Sequence, residues 1–307
     1  MDRREFIKTS LIAGGITGAG LIFKGPQALF SQTKMNQNTF PDLIAVKGGE
    51  PDKMFDIGIQ ALGGIQNFVK KGQSVVIKPN IGWNRPPEYG ANTNPLLIKR
   101  IIEHCINAGA KKVYVFDNSC DFWEDCYKNS GIEKAAKDAG ATVVPAFAKS
   151  YYNNVEIKNG KILKNALVHE LILSSDVFIN VPIIKHHGGA RMSLSMKNLM
   201  GAIYDRGFYH SNGLQQCIAD FMLFKKPDLN VIDGYYVMMR NGPRGLSKND
   251  VTNMKYQILS KDPVAADAAS AKIFGVEPAD VPHIKIANDM NIGNMNLDKL
   301  NIKRLTA

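Results

Sequence analysis

The chain is poor in the residues that announce metal and cluster chemistry. Its 307 residues include only four cysteines, at positions 105, 120, 126 and 217, and no two of them stand as CxxC. That spacing argues against an iron–sulfur cluster or a thiolate zinc site, so no cluster is expected in this chain, and no other cofactor is indicated. Cys120 and Cys126 are the one close pair, open to a disulfide in an oxidising compartment; four free, partly buried thiols are the alternative. No HExxH or HxxxH spacing occurs, so no histidine pair suggests a metal. No low-complexity tract and no Pro- or Ser-rich linker divides the chain after residue 41, which favours one domain over 42–305. Acidic residues are the minority, with 28 Asp and Glu against 38 Lys and Arg and a net charge of +10. The basic residues are scattered, and nucleic acid is therefore not an expected partner. A small anionic ligand is.

The N-terminus carries Arg3-Arg4, Phe6 and Lys8, followed by a mildly apolar stretch from Leu11 to Phe23 that is diluted by four glycines. Such a stretch is shorter than the roughly 20 residues of a membrane span. The order of charge and apolar run reads as an export signal, and the paired arginines are the address of the twin-arginine translocase. Residues 1–31 are thus expected to be a signal segment, 32–41 a linker, and the protein periplasmic. An uncleaved signal anchored in the inner membrane is the alternative. Losing the segment removes four cations and two acids, leaving a net charge of +8.

Beyond the linker the pattern alternates. Short apolar runs at Leu43–Val46, Ser74–Ile77, Val113–Phe116 and Thr142–Val144 read as strands, and helical stretches lie between them. Asn94-Pro95 starts one helix, with Asn at the cap and Pro at the first helical position. Ser130 and Glu133 are spaced as a capping box, and Asp262-Pro263 caps a late helix. Val155 to Val168, centred on Asn159-Gly160, reads as a hairpin with a type I′ turn. Further strands are expected at Val177–Val181 and Leu229–Ile232. Continuous apolar strands separated by helices predict an α/β fold, a mostly parallel sheet with helices on both faces, plus the β-hairpin insertion.

Ligands of open parallel sheets bind beyond the carboxyl ends of the strands. Those ends are polar here: Lys78 and Asn80 follow one strand, Asp117, Asn118 and Ser119 a second, Lys185, His186 and His187 a third, and Asp233 a fourth. Lys185, ahead of Gly188-Gly189, is expected in a loop that an anion can approach. The adjacent histidines should face opposite ways on extended backbone. Lys197-Asn198 falls in a helical stretch with Lys197 partly covered. Asp267 interrupts an apolar helix stripe, and pairing with one of these lysines would satisfy it.

The segments IKPN, NAGA-K-V-V, IxxPxxKxH, MKNLMG, KPDLNVIDG, NGPRG and KDPVAADA follow one another in that order. Together they resemble the bacterial and archaeal family catalogued as domain of unknown function number 362, from about Leu43 to Leu305. Some members of that family are fused to ferredoxin-type domains, which implies redox partners for those members. The chain lacks the CxxCxxC runs that such a domain requires.

Three functions follow. The first is an exported enzyme acting on a small carboxylate or phosphate, with Lys78, Asn80, Ser119, Lys185, Lys197 and Asn198 holding the ligand. His186, Asp117, Asp233 and Asp267 would then move protons. The second is a non-catalytic periplasmic anion-binding protein using the same cleft. The third is an accessory subunit of an exported redox complex.

Overall fold

The structure is a computed structural model that describes residues 40–307. The expected signal, 1–31, and nearly all of the linker lie outside the described residues. Strand β1 (Leu43–Lys47) leads into helix α1 (Pro51–Ala61) and strand β2 (Ser74–Pro79), then α2 (Pro95–Asn107) and β3 (Lys112–Val115). Helices α3 (Trp123–Asn129) and α4 (Ile132–Asp138) precede the two-residue β4 (Thr142–Val143). A hairpin of β5 (Tyr152–Glu156) and β6 (Asn165–His169) follows, then α5 (Glu170–Ser174), β7 (Val177–Val181), β8 (Ile183–His187) and β9 (Arg191–Ser193). Short helix α6 (Ser195–Asn198) runs into a 3₁₀ turn at Leu199–Ala202. After it come α7 (Gly207–Asn212), α8 (Leu214–Phe221), β10 (Leu229–Met238), β11 (Val251–Ser260), α9 (Pro263–Phe274), α10 (Pro282–Asp289) and β12 (Ile302–Thr306).

The sheet runs in the order β12-β1-β11-β10-β7-β2-β3-β4. From β10 to β4 every pairing is parallel. Beyond β10 the sheet turns mixed, because β11 is antiparallel to both β10 and β1. Two apolar cores lie on opposite faces, and neighbouring residues of a strand belong to different ones. Leu43 and Ala45 join one core and Ile44 and Val46 the other; Val76 sits opposite Val75 and Ile77, and Phe178 opposite Val177 and Ile179. This two-sided burial explains why the strands read as unbroken apolar runs rather than as alternating ones.

Local signals fared according to how much of the turn they specified. The Asn94 side chain accepts from Leu96 N at 3.0 Å, and that of Asp262 from Val264 N and Ala265 N. Ser130 and Glu133 form no capping box: Gly131, at φ 75°, holds the cap position of α4, and Glu133 pairs with Lys137 instead. The hairpin is present, but an eight-residue connection joins its strands and Asn159 alone has positive φ, 64°. A type I′ turn requires two such residues. Strands β8, β9, β11 and β12 were not foreseen.

Candidate functional site

Lys78 is two residues on from Val76, so the strand alternation directs it to the same face of the sheet. It is fully buried, and its ammonium meets Asp117 Oδ1 at 2.7 Å and Pro79 O at 2.9 Å. The second carboxylate oxygen of Asp117 accepts from Ile81 N at 2.6 Å. Tyr127 fixes the same strand end, with Asp117 N donating to its hydroxyl and the hydroxyl donating to Asp117 O. A Cβ on Gly201 would lie 1.9 Å from Asp117 Oδ1 and 2.7 Å from Lys78 Nζ. The absent side chain in NLMG thus lets the turn after α6 close over this ion pair. Burial lowers the pKa of Lys78, and the Asp117 carboxylate opposes that shift.

Beside the pair runs a chain of amides. Asn180 Nδ2 donates to Asn230 Oδ1, Asn198 Nδ2 to Asn180 Oδ1 at 2.8 Å, and Asn80 Nδ2 to Asn198 Oδ1 at 2.9 Å. Each amide surrenders its N–H to the next oxygen, so Asn80 is left presenting Oδ1, and Lys185 Nζ donates to it at 3.1 Å. Lys185 also donates to Ala91 O. It is 1% exposed, with no carboxylate in contact. Burial and then the neighbouring Lys197 outweigh the opposing influences and bring its pKa down to about 7.

These groups open onto a cleft of about 410 Å³ at the carboxyl end of β2 and β3. Asn80, Asp117, Lys185, Lys197 and Asn198 line it. His187, expected among the polar strand ends, lines it as well, and so do Arg206, His210 and Cys120, which the sequence did not point to. Arg206 donates to Asn118 O and Ser119 O at 2.7 Å each and reaches Cys120 Sγ at 3.2 Å. It is held by carbonyls rather than by an acid, so its charge is left to the cleft. His187 Nδ1 accepts from Gly189 N and Ala190 N, and burial lowers its pKa to about 3, so the ring is neutral. Burial, then Lys197 and Arg206, also lower the pKa of His210.

Lys197 projects into the cleft from α6. Its side chain is half-buried, and among the described residues it makes no hydrogen bond and no ion pair. Burial, reinforced by Arg206 and Lys78 and opposed by Cys120 and Asp117, brings its pKa down to about 8. Among the described residues Asp117 is the only carboxylate lining the cleft, and Lys78 and Ile81 N already engage both of its oxygens.

Six expectations are corrected. Lys78 is not open to a ligand: it is sealed behind the cleft wall, 0% exposed and tied to Asp117. Lys185 lies on β8, paired with Ser193 of β9, and not in a loop. His186 faces away from the cleft, into a separate depression beside Arg191 and Gln215, because neighbouring strand residues alternate; its Nδ1 accepts from Gly242 N. Asp233 lies inside β10 rather than at its end, and its carboxylate accepts from Asn94 N and Tyr235 N at 2.7 and 2.9 Å. Asp267 pairs with no lysine: its two oxygens accept from Ser195 N at 2.6 Å and Met196 N at 3.1 Å, at the start of α6. Both acids are buried and have raised pKa values from that burial, Asp233 to about 6. Ser119 donates to Ile81 O and shapes the loop rather than the cleft wall. The cysteines are free, Cys120 exposed and the other three buried.

The family model described as Domain of unknown function (DUF362) matches residues 75–272, more than half of the chain and every residue of the cleft. The chain belongs to this family. The chain is also similar to a thylakoid-associated protein of Synechocystis sp., 24% identical over 233 residues, covering 73% of this chain and 70% of that protein. Two solved structures are similar at 12% identity: a Thermotoga maritima protein, TM-score 0.47 over 78% of this chain, and the lactate racemase apoprotein of Thermoanaerobacterium thermosaccharolyticum, TM-score 0.45 over 80%. The chain spans 60% and 56% of those two proteins.

Proposed function

We propose that this protein is an exported enzyme that holds a small carboxylate or phosphate in the cleft between β2, β3 and α6. The observation that carries the reading is Lys197, a half-buried ammonium in the cleft with no partner among the described residues. A cation removed from water without a counter-charge is costly, and a bound anion would supply that charge. Arg206 and Lys185 add to the same field, while the one acid on the wall is already engaged. Lys197 would hold the anion with Arg206, and Asn80 and Asn198 would set the polar floor.

Catalysis, rather than storage of the ligand, is favoured by two amines poised near neutrality. Lys185 at about 7 and Lys197 at about 8 can each exchange a proton at working pH, which ordinary lysines do not. On this reading the acid–base role falls to the lysines rather than to His186, Asp117, Asp233 or Asp267. Export rests on Arg3-Arg4 ahead of the short apolar run.

The test is thermal unfolding with added phosphate, sulfate or malonate. Melting temperature should climb with anion occupancy, and Lys197→Met should remove the response without altering the far-UV spectrum. An unchanged response in the variant would return Lys197 to a solvated role.

A further inference from the structure

We propose that Lys197 is a covalent site: its amine forms an imine with the carbonyl of a small oxo-acid whose acid group is held in the same cleft. The proposal rests on the anion reading above and narrows the substrate to molecules bearing a carbonyl beside the anion. Three features of the geometry support it.

The first is that the amine is free. Lys78 is tied to Asp117 and Pro79, and Lys185 to Asn80 and Ala91, whereas Lys197 makes no hydrogen bond or ion pair among the described residues. An amine that must attack a carbonyl gives up its proton contacts on the way, and Lys197 has none with the protein to lose. The second is position. Lys197 lines a cleft of about 410 Å³, room for a molecule of a few heavy atoms, and Arg206 and Lys185 lie on the same wall to take a carboxylate. The third is the charge around it. The groups facing Lys197 are Lys78 from β2, Lys185 and the neutral His187 from β8, Arg206, His210 from α7 and His283 from α10, against Asp117 and Cys120. Desolvation, and after it the positive charges of Arg206 and Lys78, favours the neutral, nucleophilic form of the amine, which agrees with its fall to about 8.

The step balances without any further reagent. The neutral nitrogen of Lys197 adds to the carbonyl carbon, forming C–N. The carbonyl oxygen then leaves as water together with the two amine protons, and C=N remains. Protonated, that imine withdraws electrons from the adjoining carbon, which is the use an enzyme makes of such a lysine.

Pyruvate with sodium cyanoborohydride tests this on the full described chain. Reduction of the imine leaves a carboxyethyl group on the lysine, located by peptide mass spectrometry. At pH 7.5 Lys197 should be labelled at least about tenfold faster than the exposed Lys149 and Lys158, since burial has brought its pKa down to about 8. Its rate should level off above about pH 8. Phosphate should protect Lys197 and leave the exposed lysines unprotected. Lys197→Arg should keep the phosphate-induced rise in melting temperature and bring the label on the intact protein down to the level of its surface lysines.

Labelling of Lys197 no faster than Lys149, or preferential labelling of Lys185, overturns the proposal. If phosphate still stabilises the protein in that case, the anion reading survives alone. Preferential labelling of Lys197 with no stabilisation by any anion keeps the imine and removes the anion reading.

Discussion

Asp267 and Lys197 meet at the same four-residue helix, α6, yet their charges are handled in opposite ways. Asp267, beneath the helix, has both oxygens engaged by the first two N–H groups, Ser195 and Met196. Lys197, one residue further on, faces the cleft with nothing engaged. Asp233 repeats the pattern of Asp267, with its oxygens bound to Asn94 N and Tyr235 N. Buried acids whose capacity is filled by backbone donors are architecture, since there is nothing left for a ligand to use. A cation with its capacity unfilled is where a ligand gains most. On the proposed function, the comparison assigns Asp233 and Asp267 to the fold and Lys197 to the chemistry, and it can be broken from either side.

The largest effect is expected where a charge is both buried and paired. Lys78→Met leaves Asp117 uncompensated in the interior and should cost about 3–5 kcal/mol of stability in urea unfolding. Gly201→Ala should act on the same pair by crowding, because the new Cβ would lie 1.9 Å from Asp117 Oδ1. A loss below 1 kcal/mol (about the size of a surface substitution) in Lys78→Met would show that the pair is not the keystone of this strand end.

Next is Asp267→Ala, which strips two buried N–H groups of their acceptor. At about 1–3 kcal/mol for each unpaired group, the cost should reach about 2–6 kcal/mol. Because α6 also carries Lys197, the variant should weaken phosphate binding indirectly. Unchanged stability would mean that α6 finds another cap, and Asp267 would again be open to a role in the cleft.

A third effect is in the pH profile. Burial raises Asp233 to about 6 in the folded state, against an ordinary carboxylate value of 3.8. Between those values the folded chain holds the proton more tightly than the unfolded one. The associated stability is fully present below pH 3.8 and is lost as pH rises through about 6. Asp233→Asn should flatten that part of the profile, removing a slope worth about 2–3 kcal/mol in all. An identical slope in the variant would place the titration elsewhere.

What the sequence showed of this arrangement follows from how local each feature is. Strands β1, β2 and β7 were legible because burial on both faces makes unbroken apolar runs, the partly exposed β3 and β4 because each carries valine soon after a glycine that ends a helix, and the N-caps at Asn94 and Asp262 because a cap is a two-residue signal. Strand β11 was not, since half of it, Val251–Lys255, is exposed or half-buried and carries no apolar run. The polar ends of β2 and β3 pointed to the cleft, and Asn80, Asp117, Lys185, Lys197 and Asn198 do line it. Lys185 looked like a loop residue because the glycines after it mark a turn, which in fact joins β8 to β9. Asp233 looked like a strand end because Asp-Gly is a turn signal, yet the strand runs on to Met238. Arg206 and His210 carried no signal, since a loop reaching back across 86 residues to touch Cys120 leaves no trace in spacing.

The smallest effect expected is also the one that separates the two regions most cleanly. Lys197 has a folded pKa of about 8 against an ordinary lysine value of 10.5. Between those values the unfolded chain binds more protons than the folded one, so wild-type stability rises with pH across the window. Put the other way, the contribution is present above 10.5 and is lost as pH falls through about 8. Below pH 8 the folded protein therefore carries the cost of an unpartnered ammonium. Lys197→Met removes that cost, and in anion-free buffer at pH 7 the variant should be more stable than wild type by about 1–2 kcal/mol, less than the full shift implies because the side chain is only half-buried. The difference should shrink towards zero by about pH 10.5. Saturating phosphate should reverse its sign at pH 7, because only the wild type gains from the anion. A variant less stable than wild type at pH 7 without anions would mean that Lys197 is already satisfied inside the protein, and the contrast with Asp267 would disappear.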